Sequence, residues 1–292
     1  MCDRVDRALA WARAALADVP GAEPLDAPVL LAHLLGVDRA ALHAHPERPL
    51  TPEQAARFRQ MIAGRGRGVP VAYLTGRRAF FDREFVVSPA VLIPRPETEH
   101  LIEAALEWAR GRAGLRIADV GTGSGAIAVT LAAHLPGAAV WAIDASEDAL
   151  AVARHNAARA GVAARITWFR GDLLSPLLAN ASQVDLIAAN LPYIPSADLD
   201  GLAVARFEPR AALDGGPDGL DLIRRLLAQA PGVLAPGGLA LLEIQSGQGK
   251  RVAELAGAAF EGAEVRVLAD YAGHDRVVWI STRVLHVASD YD

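Results

Sequence analysis

The residues best suited to chemistry form a short turn, Asn190-Leu191-Pro192-Tyr193, directly after the apolar run at 184–189. Asn190 carries a side-chain oxygen that accepts hydrogen bonds, and Pro192 fixes the backbone and removes an N–H donor. Tyr193 adds a flat aromatic wall. The turn therefore indicates a clamp for a planar, amide-like group. The structural alternatives are an Asn190 that only forms the turn and a Tyr193 that packs in the core.

A glycine-rich loop at residues 119–125 follows another apolar run and opens a helical pattern. Closely spaced glycines let a ligand approach the backbone at a helix N-terminus, and Asp144, which ends the next predicted strand, can accept hydrogen bonds from ribose hydroxyls. The G-x-G-x-G spacing differs from the dinucleotide pattern, and Asp119 would repel a pyrophosphate. S-adenosylmethionine, which is cationic and lacks phosphate, therefore fits the loop better than NAD.

A further acidic strand end, Asp172-Leu173, follows the third predicted strand. In open α/β sheets ligands bind outside the carboxyl ends of the strands, so we expect these strand ends to converge. Asp172 or the backbone of Leu173 contacts adenine in one interpretation. In the other, Asp172 caps a loop or helix. Glu243 either supports the site as an acceptor or has a capping role. The predicted cofactor-binding residues are Asp119, Gly121, Thr122, Gly123, Ser124, Gly125, Asp144, Asp172, Leu173 and Asn190.

The elements that must position these residues show an α/β pattern. From residue 115 onward short apolar runs alternate with helical patterns, which predicts a Rossmann-like, mostly parallel sheet. The last two runs are joined by a short loop, which predicts an antiparallel last strand. Residues 1–75 are predicted to form a small helical bundle, in which Thr51 and Gln54 make a capping box. The predicted strands are 115–119, 139–144, 165–169, 184–189, 239–244, 263–270 and 276–282.

Composition narrows the class of protein. The 292-residue chain has a net charge of −5, so it carries no overall basic surface for nucleic acid. Its single cysteine, Cys2, excludes an internal disulfide and a multi-cysteine zinc site, and His134 and His155 lie on predicted helices without ligand-type partners nearby. The sequence shows no export signal or membrane span. We expect a cytoplasmic monomer that binds neither a metal ion, a membrane nor nucleic acid directly.

Together these residues resemble the PrmC/HemK family, the protein-glutamine N5-methyltransferases that modify peptide chain release factors. The resemblance covers nearly the whole chain, and the Ile-Pro-Arg-Pro-Glu-Thr-Glu stretch at 93–99 is specific to this family. The glycine loop is general among S-adenosylmethionine enzymes, and an Asn-Pro-Pro-Tyr clamp also occurs in adenine-N6 DNA methyltransferases. The stretches that carry the resemblance are 70–76, 91–99, 119–128, 208–213, 215–220 and 270–276.

The resemblance implies a helical substrate-recognition domain at 1–75, a hinge with a β-hairpin at 76–92, and a class I S-adenosylmethionine-dependent methyltransferase domain at 93–292. It implies methyl transfer to the N5 of the glutamine in the Gly-Gly-Gln motif of class I release factors. The alternatives are an adenine-N6 nucleic-acid methyltransferase and a non-catalytic scaffold that binds the cofactor. The residues implied to bind substrate and to act in catalysis are Asn190, Leu191, Pro192 and Tyr193.

Two residues depart from the family pattern. Leu191 stands where the family usually has proline, and Gln245 where it usually has glycine. In the family the asparagine oxygen and the carbonyl of the next residue hold the substrate amide, so Leu191 can still supply that carbonyl. Ring rigidity is lost and an N–H is gained. Arg95 and Glu97 either form a local ion pair at the start of the following helix or contact the ligand.

Overall fold

The computed structural model describes residues 3–283, so Cys2 lies outside the described residues. The chain divides into two compact units between residues 77 and 78. No helix within residues 3–283 combines the length and apolarity needed to cross a membrane. The first unit consists of the helices α1 Val5–Leu16, α2 Asp26–Leu35, α3 Arg39–Ala44, α4 Pro52–Gly66 and α5 Val71–Thr75.

The helices of the first unit pack around apolar side chains such as Phe58, which is fully buried. The predicted capping box is confirmed: the Gln54 N–H donates to Thr51 Oγ1, and the Thr51 N–H donates to Gln54 Oε1. A buried ion pair joins Asp26 on α2 to Arg65 on α4, with 2.7 Å between the carboxylate and Nε. The unit therefore combines an apolar core with a charged tie between α2 and α4.

The second unit contains a seven-stranded sheet in the order β5-β4-β3-β6-β7-β9-β8. Its neighbouring strands are parallel except at β9, which is antiparallel to both β7 and β8, so the predicted fold class is confirmed. The strands are β1 Arg77–Phe80, β2 Arg83–Val86, β3 Arg116–Val120, β4 Ala139–Asp144, β5 Ile166–Arg170, β6 Val184–Ala189, β7 Leu234–Glu243, β8 Glu264–Ala269 and β9 Asp275–Ser281.

The central strands are apolar on both faces because helices cover both sides of the sheet. Helices α6, α7 and α8 cover one face, and α10 and α11 cover the other. Strand β7 begins earlier than predicted because its pairing with β6 continues back to Leu234 through an irregular register. The helices of this unit are α6 Glu99–Ala109, α7 Ala126–His134, α8 Glu147–Arg159, α9 Ser175–Ala179, α10 Asp221–Gln229 and α11 Gly249–Ala259.

The hairpin of β1 and β2 contributes aromatic side chains to the sheet unit. Phe80 and Phe85 are buried in the same apolar core as the α6 and α7 side chains. The hinge at residues 76–92 remains a prediction. The short 3-10 helices are Pro96–Thr98, Ala163–Arg165, Leu199–Gly201, Ala203–Arg206, Arg210–Ala212 and Ala230–Gly232.

Candidate active site

A cavity of about 270 Å³ lies at the carboxyl ends of the parallel strands of the second unit. This is the position at which open α/β sheets bind ligands. Three of the residues predicted from the sequence to form the site, Asp119, Gly125 and Tyr193, do not line this cavity. The sequence-predicted residues that do line it are Gly121, Thr122, Gly123, Ser124, Asp144, Asp172, Leu173, Asn190, Leu191 and Pro192.

Asp119 is completely buried beneath the glycine loop. Its Oδ2 accepts hydrogen bonds from the Thr122 hydroxyl at 2.6 Å and from the Ala128 N–H at 2.9 Å, whereas Oδ1 has no partner in the described chain. Burial raises the pKa of Asp119 to about 7, and the nearby charge of Asp144 acts in the same direction. Asp119 therefore holds the loop to the start of α7 from below.

Asp144 ends β4 and faces the loop. One carboxylate oxygen accepts the Gly123 N–H and the other accepts the Ser146 N–H, both at 2.9 Å. Each carboxylate oxygen has more than one lone pair, so both oxygens can also accept ligand hydroxyls. Asp144 is thus fixed by neutral partners and keeps its charge available at the cavity wall.

The charged residues that line the cavity give it a negative balance. In the described chain they are Arg95, Asp144 and Asp172. Arg95 pairs with Glu208, and Asp172 pairs with Arg225 on α10. The carboxylate of Asp144 is left without a cationic partner in the described chain, which suits a cationic ligand. Asp172 thus lines the cavity and takes part in an exposed ion pair, and its contact with adenine stays a prediction.

The Asn190–Tyr193 turn follows β6 and meets the glycine loop through Leu191. The Leu191 side chain is buried, and a Cβ placed on Gly121 would lie 3.1 Å from Leu191 Cδ2. Asn190 Nδ2 donates to Thr98 Oγ1 at 3.0 Å. No donor among residues 3–283 bonds to Asn190 Oδ1 or to the Leu191 carbonyl. Two oxygen acceptors are therefore unused beside the loop.

The backbone of Tyr193 is held by residues far along the chain. Gln248 Nε2 donates to the Tyr193 carbonyl at 3.0 Å, and Gln248 Oε1 accepts the Gln245 N–H. Gly219 has a φ of +76°, and a Cβ there would lie 2.2 Å from the Tyr193 carbonyl oxygen, so only glycine fits. These contacts fix the end of the turn despite the absence of a second proline.

The hydroxyl of Tyr193 donates to Glu243 Oε1 at 3.4 Å. Glu243 ends β7, is 1% exposed, and its Oε2 has no partner in the described residues. Burial raises the pKa of Glu243 to about 7, against the effects of the Thr98 hydroxyl, the Arg276 charge and the Tyr193 hydroxyl. Burial also raises the pKa of Tyr193. Glu243 therefore accepts a hydrogen bond from the turn, which favours the first of its two sequence interpretations, an acceptor that supports the site.

Arg95 does not form the local ion pair with Glu97 that was one of its two sequence interpretations. It pairs with Glu208, which is 4% exposed and also accepts the Ile93 N–H at 3.0 Å. A buried carboxylate requires a charged or N–H partner, and Glu208 obtains both from the same segment. The pair fastens the family-specific stretch at 93–99 beside the cavity.

Asn156, on α8, ties the hairpin to the glycine loop. Its Oδ1 accepts the Val86 N–H at 2.8 Å, and its Nδ2 donates to the carbonyls of Val86 and Ser124, both at 2.9 Å. Sequence reasoning missed Asn156 and Gln248 because no local pattern marks a side chain whose partners are distant. It also missed Thr98, although Thr98 lies in the family-specific stretch at 93–99. Glu208 lies in a stretch that carries the family resemblance, which was the available signal.

The residues present fit S-adenosylmethionine. The negative balance at Asp144 suits its ammonium and sulfonium groups, and apolar side chains such as Ile143, Leu173 and Leu222 line the rest of the cavity, as an adenine ring requires. Within residues 3–283 no group of three or more His, Cys, Asp or Glu side chains could hold a metal ion.

Comparison with known proteins defines the class. A methyltransferase domain model matches residues 117–206, and a PrmC N-terminal domain model matches residues 7–76. The solved T. thermophilus 16S rRNA N2 G1207 methyltransferase, in complex with AdoMet and guanosine, aligns with a TM-score of 0.53 and 18% identity over 71% of this chain and 50% of that chain, a likeness of fold alone. The fold and the site together define an S-adenosylmethionine-dependent methyltransferase.

Closer relatives identify the family. The release factor glutamine methyltransferase of Moorella thermoacetica is 51% identical over 86% of this chain and 89% of its own length. The corresponding Bacillus cereus protein is 40% identical over 94% of this chain and 98% of its own. The chain belongs to the release factor glutamine methyltransferase family, and the resemblance stated from its motifs is confirmed.

Proposed function

We propose that this enzyme transfers a methyl group from S-adenosylmethionine to the side-chain amide nitrogen of the glutamine in the Gly-Gly-Gln loop of class I peptide chain release factors. The observation that carries the proposal is the pair of unused acceptors, Asn190 Oδ1 and the Leu191 carbonyl, beside the glycine loop. A primary amide has two N–H donors, which match two acceptors.

The physical problem is that an amide nitrogen is a weak nucleophile, because its lone pair is delocalised into the carbonyl. When bound, S-adenosylmethionine supplies an electrophilic methyl group. Asn190 Oδ1 and the Leu191 carbonyl would orient the amide nitrogen and favour the positive charge that develops on it. The ring of Tyr193 would pack against the plane of the amide. The backbone carbonyl of Tyr193 accepts a hydrogen bond from Gln248, which keeps the turn in place. The N–CH3 bond would form as the S–CH3 bond of the cofactor breaks, and the methylated nitrogen, which is then strongly acidic, would lose its proton to water, so no strong base is needed.

The cofactor would be held by the glycine loop and Asp144. The Gly123 N–H fixes the Asp144 carboxylate, so the charge that selects a cationic ligand does not depend on a flexible side chain. Gly121 packs against Leu191, and this contact would hold the glycine loop at a fixed distance from the Asn190–Tyr193 turn. We assign roles to Thr122, Ser124 and the Leu173 backbone as further cavity walls.

The same two acceptors would suit the exocyclic amine of a flipped adenine. The family relationship and the PrmC N-terminal domain match favour the protein substrate, as does the net charge of −5. In this proposal the helical first unit recognises the release factor outside its Gly-Gly-Gln loop. We further propose that the protein works as a cytoplasmic monomer without direct contact to nucleic acid.

The test uses the full chain with methyl-labelled S-adenosylmethionine. A purified class I release factor, the same factor with Gly-Gly-Ala in place of Gly-Gly-Gln, and adenine-containing DNA are offered in separate reactions. The proposal predicts label on the natural factor only. Label on DNA alone would support the adenine alternative, and tight cofactor binding without transfer to any substrate would support a scaffold. Sedimentation analysis of the same preparation tests the monomer.

A further inference from the structure

The side chain of Asn190 can serve the proposed function only in one of its two amide orientations. An asparagine amide has an oxygen acceptor at one corner and an NH2 donor at the other, and its hydrogen-bond partners decide which corner faces a substrate. Asn190 Nδ2 donates to Thr98 Oγ1, so Oδ1 is the corner without a donor among the described residues. Thr98 lines the same cavity and is 4% exposed.

Thr98 can hold Asn190 in this orientation only if its own hydroxyl hydrogen points elsewhere. Glu243 can supply that acceptor: the Thr98 hydroxyl acts to lower its pKa, its Oε1 receives the Tyr193 hydroxyl, and its buried Oε2 has no partner among the described residues. An ionised carboxylate accepts hydrogen bonds and cannot donate them. An ionised Glu243 would therefore take the hydrogen of the Thr98 hydroxyl and leave Thr98 Oγ1 to accept from Asn190 Nδ2, as it does at 3.0 Å.

We propose that Thr98 and Glu243 are positioning residues that turn the Asn190 amide so that its oxygen faces the substrate. This inference rests on the proposed function, since it explains how the acceptor for the substrate amide is held. Neither residue is assigned a contact with substrate. A neutral Glu243 could donate to Thr98, and Thr98 would then donate to Asn190, which would present NH2 instead of oxygen.

The surroundings of Glu243 allow this reversal near neutral pH. The charged and titratable groups that act on it are Arg276 and Glu97, together with the hydroxyl of Tyr193. Arg276 is itself paired with Asp270 at 3.0 Å, which weakens its effect on Glu243. Burial raises the pKa of Glu243 to about 7, so acidification from above neutrality adds the proton that reverses the hydrogen bonds.

The first test separates positioning from binding by kinetics. Thr98→Val removes the hydroxyl at constant shape and should lower kcat about tenfold, as expected for one lost hydrogen bond, with little change in the KM for the release factor. Thr98→Ser should restore most of kcat. Thr130→Val is the matched control, because Thr130 is another buried threonine whose hydroxyl has no partner in the described chain. Its kcat should equal that of the wild type.

The second test needs no substrate. The side-chain NH2 resonances of Asn190, assigned with Asn190→Ala, should shift with a midpoint near neutral pH in the wild-type protein alone. Thr98→Val and Glu243→Gln should abolish that titration, whereas Thr130→Val should retain it. The inference would be overturned if the Asn190 resonances changed neither with pH nor with either substitution. Failure of the wild type to methylate a release factor would instead count against the proposed function, and the resonances would still decide the positioning role.

Discussion

The two halves of the site are built differently. In the cofactor half, Asp119 bonds to Thr122 three residues away and to Ala128 nine residues away, and Asp144 bonds to Gly123 over 21 residues. The reacting half depends on distant partners. Its bonds are Asn190 to Thr98 over 92 residues, Tyr193 to Glu243 over 50, and Gln248 to Tyr193 over 55.

This difference assigns separate tasks to the two halves. The glycine loop is held by the nearby side chains of Asp119 and Asp144, so most of the groups proposed to hold the cofactor come from two adjacent βα connections. The turn at Asn190 has little local support because Leu191 stands where the family usually has proline. Its geometry is supplied by Thr98 just before α6, by Glu243 at the end of β7 and by Gln248 just before α11. Substitutions in the two halves should therefore affect different steps, binding in one and turnover in the other.

The largest expected effect is on the reacting half. Asn190→Ala should lower kcat about hundredfold, roughly 3 kcal/mol, by analogy with the loss of one oxyanion-hole donor. The Kd for S-adenosylmethionine, measured by calorimetry, should stay close to the wild-type value. A Kd that rises in proportion to the loss of turnover would show that the two halves are not separable.

Asn156 tests a distant tie of the cofactor half. Asn156→Ala leaves the Val86 N–H and the Val86 and Ser124 carbonyls without their partner, which should cost about 2.5 kcal/mol of unfolding free energy in urea denaturation. Asn180→Ala is the control, because Asn180 is exposed and its side chain bonds only to the Pro176 carbonyl among the described residues. Equal losses in both variants would contradict the role of Asn156.

Each half contains one buried carboxyl group whose pKa is raised to about 7, Asp119 and Glu243. The folded state binds these protons more tightly than the unfolded state, so the stability they confer is greatest at low pH and is lost as pH rises through about 7. Glu243→Gln should reduce the loss of unfolding free energy between about pH 5 and pH 8 by roughly 2 kcal/mol. Asp119→Asn should do the same, and an unchanged pH profile would refute this picture for the residue concerned.

The smallest expected effect is on the cofactor half, where binding should change and turnover should not. Asp144→Ala should raise the Kd for S-adenosylmethionine about tenfold, roughly 1.4 kcal/mol, because two N–H groups and a cationic ligand lose the same carboxylate. Turnover at saturating cofactor should be retained. A fall in kcat at unchanged affinity would place Asp144 in the reacting half.

The contrast also explains what could be predicted from the sequence. The alternation of apolar runs with helical patterns identified the sheet, and the spacing of Gly121, Gly123 and Gly125 identified the loop, because both signals are local. The bonds of Thr98 and Gln248 to the turn could not be predicted, since these residues meet the turn only after the sheet has formed, although Thr98 lies in the family-specific stretch at 93–99. Arg95 likewise pairs with the distant carboxylate of Glu208 and not with that of the neighbouring Glu97.

The central claim is that the turn at Asn190 directs the methyl group to a glutamine amide. The most direct measurement is tandem mass spectrometry of a class I release factor after incubation with this chain and S-adenosylmethionine. The account predicts one added methyl group on the side chain of the Gly-Gly-Gln glutamine, strongly reduced with Asn190→Ala. A methyl group on any other residue, or on adenine with none on the release factor, would contradict it.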